Sequence, residues 1–444
     1  MTGQRIGWKR FLSFVGPGAM VSVGYMDPGN WSTDLAGGSV FGYKLLWVIL
    51  ASNLMAIMLQ ALCVRLGLVT GKDLAEACRD YLNKPTAISL WVLCELAIIA
   101  CDIAEVLGSA IALKMLFGIP LVAGVLITGL DVLLLLALTR YGFRMLEAVV
   151  ITLISTIFIC FAINLWLAKP DWAAAAAGAI TPSIPNKEAL AITVGILGAT
   201  VMPHNLYLHS SIVKKQSTAG YTLKERVKLA TLDSTLSLAL AFFVNAAILI
   251  LSASVFHGGA GVSELEDAHR LLGPVLGGAS ATLFAVALLC SGQSSTITGT
   301  LAGQIVMEGF LRLKISPVMR RLITRGLAII PAIAIITISG GKDTNFLIVT
   351  TQIVLSLQLP FAILPLVVFT SSRKKMGEFA SPKWLVAVAS VIAAVIIGLN
   401  LNLIYGLDWS LGRPVAVVVG ILIAWTLWIL LRGRSKGEGD TLAA

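Results

Sequence analysis

The chain has 444 residues, 57% of them hydrophobic and only 13% charged, with a formal net charge of +10 and a mean hydropathy of +0.90. So apolar a composition cannot clothe a set of soluble domains and points to an all-α polytopic membrane protein. A nucleic-acid binder is excluded as well, because the basic residues are spread among connections rather than gathered in one module.

About twelve apolar stretches are long enough to cross a bilayer, near 11–40, 44–68, 86–112, 118–138, 145–167, 188–213, 229–255, 279–311, 322–339, 345–371, 384–405 and 413–431. Alternate connections hold 26 and 7 of the Lys and Arg residues. The richer set includes Arg5, Lys9 and Arg10 at one end and Arg432, Arg434 and Lys436 at the other. The poorer set is Lys44, Lys114, Lys169, Lys187, Arg270, Lys342 and Arg413. The positive-inside rule then places both termini in the cytoplasm, the long connections 168–187 and 256–277 outside, and 214–228 inside. The opening "MTGQRIGWKRF" lacks a small-residue cleavage site, so the first helix is expected to be retained. Six scattered cysteines without a C-x-x-C pair support neither a disulfide framework nor a zinc module, and read as buried thiols. With no linker or soluble module, residues 1–444 read as one transmembrane domain.

Span one carries "GYMDPGNWSTD" (24–34), which puts a carboxylate, a Pro-Gly pair and an amide in hydrocarbon. Proline lacks an N–H, so Pro28 frees the carbonyl of Gly24, at a cost of several kcal/mol unless something polar binds there. Span three, "CELAIIACDIAEVLG", holds Glu95, Asp102 and Glu105. At 100° per residue they fall within roughly an 80° arc along about 15 Å of one helix face. Three acids on a membrane helix are expensive enough to favour a proton relay over accident. Span six repeats the first break: "VMPHN" (201–205) aligns with "MDPGN" (26–30), setting Met202 over Asp27, Pro203 over Pro28 and Asn205 over Asn30. Five spans separate the two motifs, so the second copy enters the membrane from the opposite side, as in an inverted-topology repeat with its substrate site at the midplane. The repeats are 11–167 and 188–371, followed by two additional spans in 384–431. Asp131 and Asp233 read as helix-packing or end residues. Asn245 in span seven is a candidate gate amide, although an amide bridging helices is the simpler reading. The small-residue run of span eight reads as close packing, and span nine offers Arg321 and Arg325 on one face, with Arg325 favoured as relay partner and Arg320 and Arg321 as possible end-of-span cations.

The facing breaks define a donor set. Asp27 and Asn30 supply hard oxygens, Gly24 and Ala199 supply freed carbonyls, and Met202 supplies a thioether. An isolated membrane methionine usually packs; beside a proline break and opposite an acid, the ligand reading goes ahead. Hard cations gain nothing from sulfur, whereas a divalent transition metal accepts the mixture.

"DPGN" in span one and "MPHN" in span six resemble the paired motifs of the Nramp family, as do "GQSSTITGTLAGQIVMEGF" (292–310) and "LSLQLPFAILP" (355–365) in spans eight and ten. The resemblance, running from about residue 10 to 405, implies a LeuT-type fold and proton-coupled symport of divalent metal. Mn²⁺ and Fe²⁺ are the usual substrates, with Cd²⁺ and Co²⁺ as further expected ions, and no cofactor is implied. It carries the family's metal ligands onto Asp27, Asn30, Met202 and the carbonyls of Gly24 and Ala199, and a further polar group onto Gln358, with Gln352 nearby. It gives His204 and His209 roles in pH dependence and the span-three acids a role in proton movement. Many members have Ala in place of Gly24; Met202 argues against a magnesium-transporting branch that lacks it. The expected partners are the metal, protons and lipid, with no obligatory protein partner, in a bacterial inner membrane.

Rival readings fare worse. "GLVTGKD" (67–73) is no P-loop, so an ATP-driven pump lacks its nucleotide site. Four histidines without H-E-x-x-H spacing make an intramembrane metalloenzyme unattractive. A sodium-coupled small-organic-solute transporter of the same fold is the strongest alternative, but Asp27 already occupies the place its substrate carboxylate would take.

Overall fold

The computed structural model describes residues 16–131, 142–215, 220–258, 262, 264–313, 315–341, 344–406 and 419–430. Every regular element among them is helical. In chain order these are α1 (Pro17–Ser22), α2 (Pro28–Phe41), α3 (Leu46–Thr70), α4 (Leu74–Tyr81), α5 (Lys84–Phe117), α6 (Leu121–Thr128), α7 (Phe143–Ala168), α8 (Trp172–Ile180) and α9 (Lys187–Thr200). Then come α10 (Pro203–Ile212), α11 (Leu223–Phe256), α12 (Leu265–Leu276), α13 (Gly278–Leu311), α14 (Pro317–Ser339), α15 (Thr344–Ser371), α16 (Arg373–Met376), α17 (Lys383–Tyr405) and α18 (Val419–Leu430).

Nine stretches among the described residues are long and apolar enough to cross a membrane. One of them, Pro28–Thr70, contains both α2 and α3, which the turn Gly42–Leu45 divides. Gly42 adopts φ 60°, which a side chain would resist, so two expected spans form where a single 43-residue helix would have overrun the bilayer. Parts of the expected fourth and twelfth spans, together with Arg5, Lys9, Arg10, Lys342, Arg413, Arg432, Arg434 and Lys436, lie outside the described residues. The connections 168–187 and 256–277 are not bare loops: they hold α8, capped by Asp171, and α12.

Local chemistry sets the helix ends. Capping boxes start α4 (Asp73 with Glu76) and α11 (Thr222 with Glu225), and glycines in the left-handed region close α3, α5 and α14. The long α5 packs against α13, α14 and α15, while α2 lies along α9 and α11, and α10 along α3 and α13. Small residues permit this closeness. A methyl group on Gly198 of α9 would collide with the backbone carbonyl of Gln352 in α15, and one on Gly67 of α3 with that of Ser210 in α10. Trp31 anchors α2 between Phe161 and Phe284, with ring centroids 4.9 and 5.2 Å away. The six cysteines are free, five of them buried.

Candidate functional site

Two spans are interrupted by the same local chemistry. After α1 a short turn, Val23–Tyr25, leads to an extended Asp27 (φ −72°, ψ 168°), and α2 starts at Pro28. After α9 the chain is extended at Met202 (φ −65°, ψ 124°), and α10 starts at Pro203. Neither proline can return an N–H to the carbonyl four residues earlier, on Gly24 and Ala199. The neighbouring carbonyls of the first break are already served: Asn245 Nδ2 donates to Tyr25 O at 2.7 Å and Ser291 Oγ to Met26 O at 2.5 Å.

The breaks touch. A methyl on Gly24 would fall on the carboxamide of Asn205, so the chain of the first break rests directly against the second. Span ten closes a third side, its Gln352 amide pressed against Gly29 and its Gln352 carbonyl against Gly198. Gln358, the amide carried over from the resemblance, is buried with both polar atoms unpaired, and a methyl on Gly29 would meet the neighbouring amide of Gln352.

Asp27 Oδ1 accepts the Asn30 N–H at 2.9 Å, capping α2. Its Oδ2, both carboxamide atoms of Asn30 and of Asn205, and His204 Nδ1 are buried without a partner among the described residues. Met202 is fully buried in a small apolar cluster with Ala97, Ala100, Cys101 and Leu355. Each such stranded polar group costs about 1–3 kcal/mol, so their concentration at one place is the signature of a site that takes a ligand. The carboxyl ends of α1 and α9 run into this place, and their dipoles favour a cation. Among the described residues no group of three His, Cys, Asp or Glu side chains is arranged to hold a metal. A cation here would therefore meet one carboxylate, amide and carbonyl oxygens, and a thioether, a set suited to a divalent transition ion.

Beside the breaks lies a buried ionic network between α5 and α14. Arg320 donates to both oxygens of Glu95, at 3.0 and 2.8 Å. Arg321 donates to Asp102 at 2.6 Å and lies 3.4 Å from Glu105 and 3.6 Å from Asp131. Arg325 bonds to Asp131 and, at 2.9 Å, to Thr296 Oγ1, whose hydroxyl donates to Glu105 at 3.0 Å. Arg325, favoured from the sequence as the relay partner, also lies 3.8 Å from Glu105. Arg321 holds Asp102, Arg325 bonds to Asp131, and Arg320 and Arg321, near the start of α14, are buried in ion pairs; Asp131, read from the sequence as a packing or end residue, is part of this network. Cys101 joins the two regions, sharing a buried apolar cluster with Met202 and reaching Glu105 with its Sγ at 3.8 Å.

His209 stands apart from the acids. Its Nδ1 lies 2.8 Å from Gln60 Oε1, and Gln60 Nε2 donates to Tyr25 Oη at 2.7 Å. This buried chain ties the turn after α1 to α3 and α10. Asp233 of α11 accepts the Gly18 N–H at 2.7 Å, a helix-end contact as expected.

Sequence reasoning missed Tyr25, Gln60, Thr296 and Asp34. Asp34, fully buried on α2 with both oxygens unpaired, was visible as a second acid seven residues beyond Asp27. Gln60 was a lone amide in an apolar span, a signal of the same kind as Asn245.

A family model described as natural resistance-associated macrophage protein-like, Nramp, matches residues 18–406. The chain belongs to the Nramp family. A divalent metal cation transporter MntH from Nostoc sp. is 57% identical over 410 residues, covering 91% of this chain and 93% of its own. The crystal structure of the Eremococcus coleocola manganese transporter matches with a TM-score of 0.88 at 39% identity, covering 98% of this chain and 97% of that one. Mhp1, a nucleobase-cation-symport-1 family transporter, matches at a TM-score of 0.60 and 15% identity, over 95% and 96% of the two chains, a likeness of fold alone. The all-helical architecture is thus that of Nramp and LeuT-type transporters, and the chain is a transporter rather than an enzyme.

Proposed function

We propose that this Nramp chain imports a divalent transition metal, Mn²⁺ or Fe²⁺ with Cd²⁺ and Co²⁺ also accepted, coupled to proton entry by alternating access. The observation that carries the reading is the unpaired, buried Oδ2 of Asp27 beside the unpaired carboxamide of Asn30, at a break that abuts the break holding Met202. Asp27, Asn30, Met202 and the carbonyls of Gly24 and Ala199 act as ligands in this reading, with Gln358 and Gln352 as candidate amides from span ten. The assignment of manganese and divalent cations to the relatives supports the substrate class.

The proton route is read from charge balance. Asp102, Glu105 and Asp131 share a buried pocket with Arg321 and Arg325, three carboxylates against two permanently charged guanidiniums. One carboxylate remains in excess, and a proton neutralises it. Metal binding at Asp27 favours loss of any proton there, and Cys101 and Met202 bring that site against Glu105. His204 follows the second break and is the titratable group next to Met202. Glu95 with Arg320 extends the network along α5.

The gating elements are the short half-helices. Tyr25, Gln60 and His209 hold them together on one side of the site, and Asn245 holds the Tyr25 carbonyl. Opening toward that side separates α1 and α10 from α3. Inside-negative potential assists entry by about 2.3 kcal/mol per charge per 100 mV, doubled for a divalent ion. In this reading the chain has twelve spans with cytoplasmic termini, inverted repeats at 11–167 and 188–371 and two further spans in 384–431, in a bacterial inner membrane.

The test is uptake in proteoliposomes across Mn²⁺, Fe²⁺, Cd²⁺, Ca²⁺ and Mg²⁺, with internal pH followed in parallel. Transition-metal uptake with acidification is expected, and Asp27→Ala abolishes it. Retained Mn²⁺ uptake in that variant would put the metal elsewhere.

A further inference from the structure

After α15 the chain turns through α16 and the short turn Gly377–Phe379 into α17, and this corner encloses a cavity of about 1260 Å³. Its walls carry Arg373, Lys374, Lys375 and Lys383 against one acid, Glu378. Among the described residues, neither Arg373, Lys375 nor Lys383 forms an ion pair with a carboxylate. Lys375 lies half-buried over the rings of Tyr81 and Phe369, 4.1 and 4.6 Å from their centroids. Burial, with Lys374 adding to it, pushes its ammonium below the ordinary lysine value.

A second feature is independent of the charges. Ser381, 9% exposed, lines the same cavity with its Oγ buried and unpaired, while its backbone N–H is fixed by the Thr370 carbonyl at 2.9 Å. A hydroxyl held in place, a guanidinium and several ammonium groups together fit the oxygens of a phosphate group. The cavity also has an apolar exit. Val386 and Ala387 of α17 line it, and Trp384, Val388 and Val391 continue along that helix as an exposed apolar surface. A free inorganic anion has no use for such a surface; acyl chains do.

We propose that this corner binds the headgroup of an anionic phospholipid, with Arg373, Lys375, Lys383 and Ser381 around the phosphate and the chains lying along α17. Basic pockets between spans at the membrane boundary are the expected place for such headgroups. The bound lipid joins α15 and α17 to Tyr81 at the end of α4, the helix whose first turn is tied by Asp73 and Glu76 to Lys214 beyond α10.

The experiment is native mass spectrometry of the full chain in detergent, titrated separately with phosphatidylglycerol, phosphatidylcholine and inorganic phosphate. Wild type is expected to retain phosphatidylglycerol and neither of the others. The Arg373→Ala/Lys383→Ala pair, both exposed and remote from the helix breaks, is expected to weaken retention about thirtyfold, which is about 2 kcal/mol for two surface charges. Arg373→Lys/Lys383→Arg restores it. Equal retention of phosphatidylglycerol by wild type and the alanine pair overturns the proposal, as does equal retention of both lipids. Binding of phosphate alone would reassign the site to a free anion. Phosphatidylglycerol binding that appears only when the chain is ended at Leu430, which lines the cavity, would assign the corner to the following segment instead.

Discussion

Gln60→Leu isolates the contact that closes one side of the site. Leucine keeps the volume of glutamine but removes both hydrogen bonds, at 2.7 Å to Tyr25 and 2.8 Å to His209, and strands those two groups where water does not reach. Stranding the buried partner of a neutral hydrogen bond costs about 1–3 kcal/mol, and two partners are stranded here. An open, hydrated arrangement loses nothing, because water serves Tyr25 and His209 there. The closed form therefore loses on the order of 3 kcal/mol relative to the open one, a shift of about a hundredfold in population. Cys63, one turn along α3 from Gln60 and fully buried, reports the change without a new probe. In a chain whose other cysteines are replaced, alkylation of Cys63 should accelerate about a hundredfold in Gln60→Leu. His209→Phe should accelerate it too, and the double variant should add little further, since both act on one chain of bonds. A Cys63 rate within twofold of wild type, or full additivity, would refute the closing role.

Met202→Ala should leave appreciable Mn²⁺ uptake but admit stronger competition by Ca²⁺ and Mg²⁺, measured by adding each ion to the uptake assay; unchanged selectivity would make the sulfur a packing group. Asp102→Asn, which removes the charge facing Arg321 at 2.6 Å, should reduce internal acidification more than metal flux, and equal loss of both would argue against a separate proton route. Lys214→Met should release α4 from the end of α10 and speed alkylation of the buried Cys78 about fivefold, on the order of 1 kcal/mol for a partly exposed pair. Burial would raise Glu76, but Lys214 and the Asp73 N–H outweigh it and hold its carboxyl below the usual range. Its contribution is therefore full above about pH 4.3 and lost only as pH falls through the depressed value. Fast Cys78 labelling in wild type at neutral pH would contradict the tie.

What the sequence made legible was cost. Asp27, Pro28, Pro203 and the three acids of span three are each expensive in hydrocarbon, and expense of that kind is visible in one dimension without knowing what offsets it. The two breaks could be aligned because both use an extended residue followed by proline, a local device. The all-helical class was legible for the same reason, since apolar runs longer than a crossing leave few alternatives. What offsets each cost was harder to read, because it comes from other helices whose register and rotation depend on packing. Arg320, Arg321 and Arg325 sit within two turns of α14, and which acid each meets depends on how α14 slides along α5. That distance is governed partly by α13, where a methyl on Gly303 would crowd the Arg320 guanidinium and one on Gly299 the Glu105 carboxylate. The small-residue run of span eight is therefore more than close packing: its glycines admit the charged side chains, and Thr296 bridges Glu105 to Arg325.

The two glutamines of span ten make the same point about rotation. Gln352 and Gln358 are six residues apart, so at 100° per residue they project about 120° from one another. Nothing in either one's neighbours in sequence decides which turns toward the breaks. Gly29 and Gly198, by lacking side chains, leave room for the Gln352 amide and its carbonyl on both sides of the crossing. A methyl at Gly29 would have to displace that amide, while one at Gly24 would press on Asn205, so the two glycines of the first break keep space for different neighbours. The glycines of span one thus do two things at once: they let the helix break, and they select which polar side chains from spans six and ten face the break.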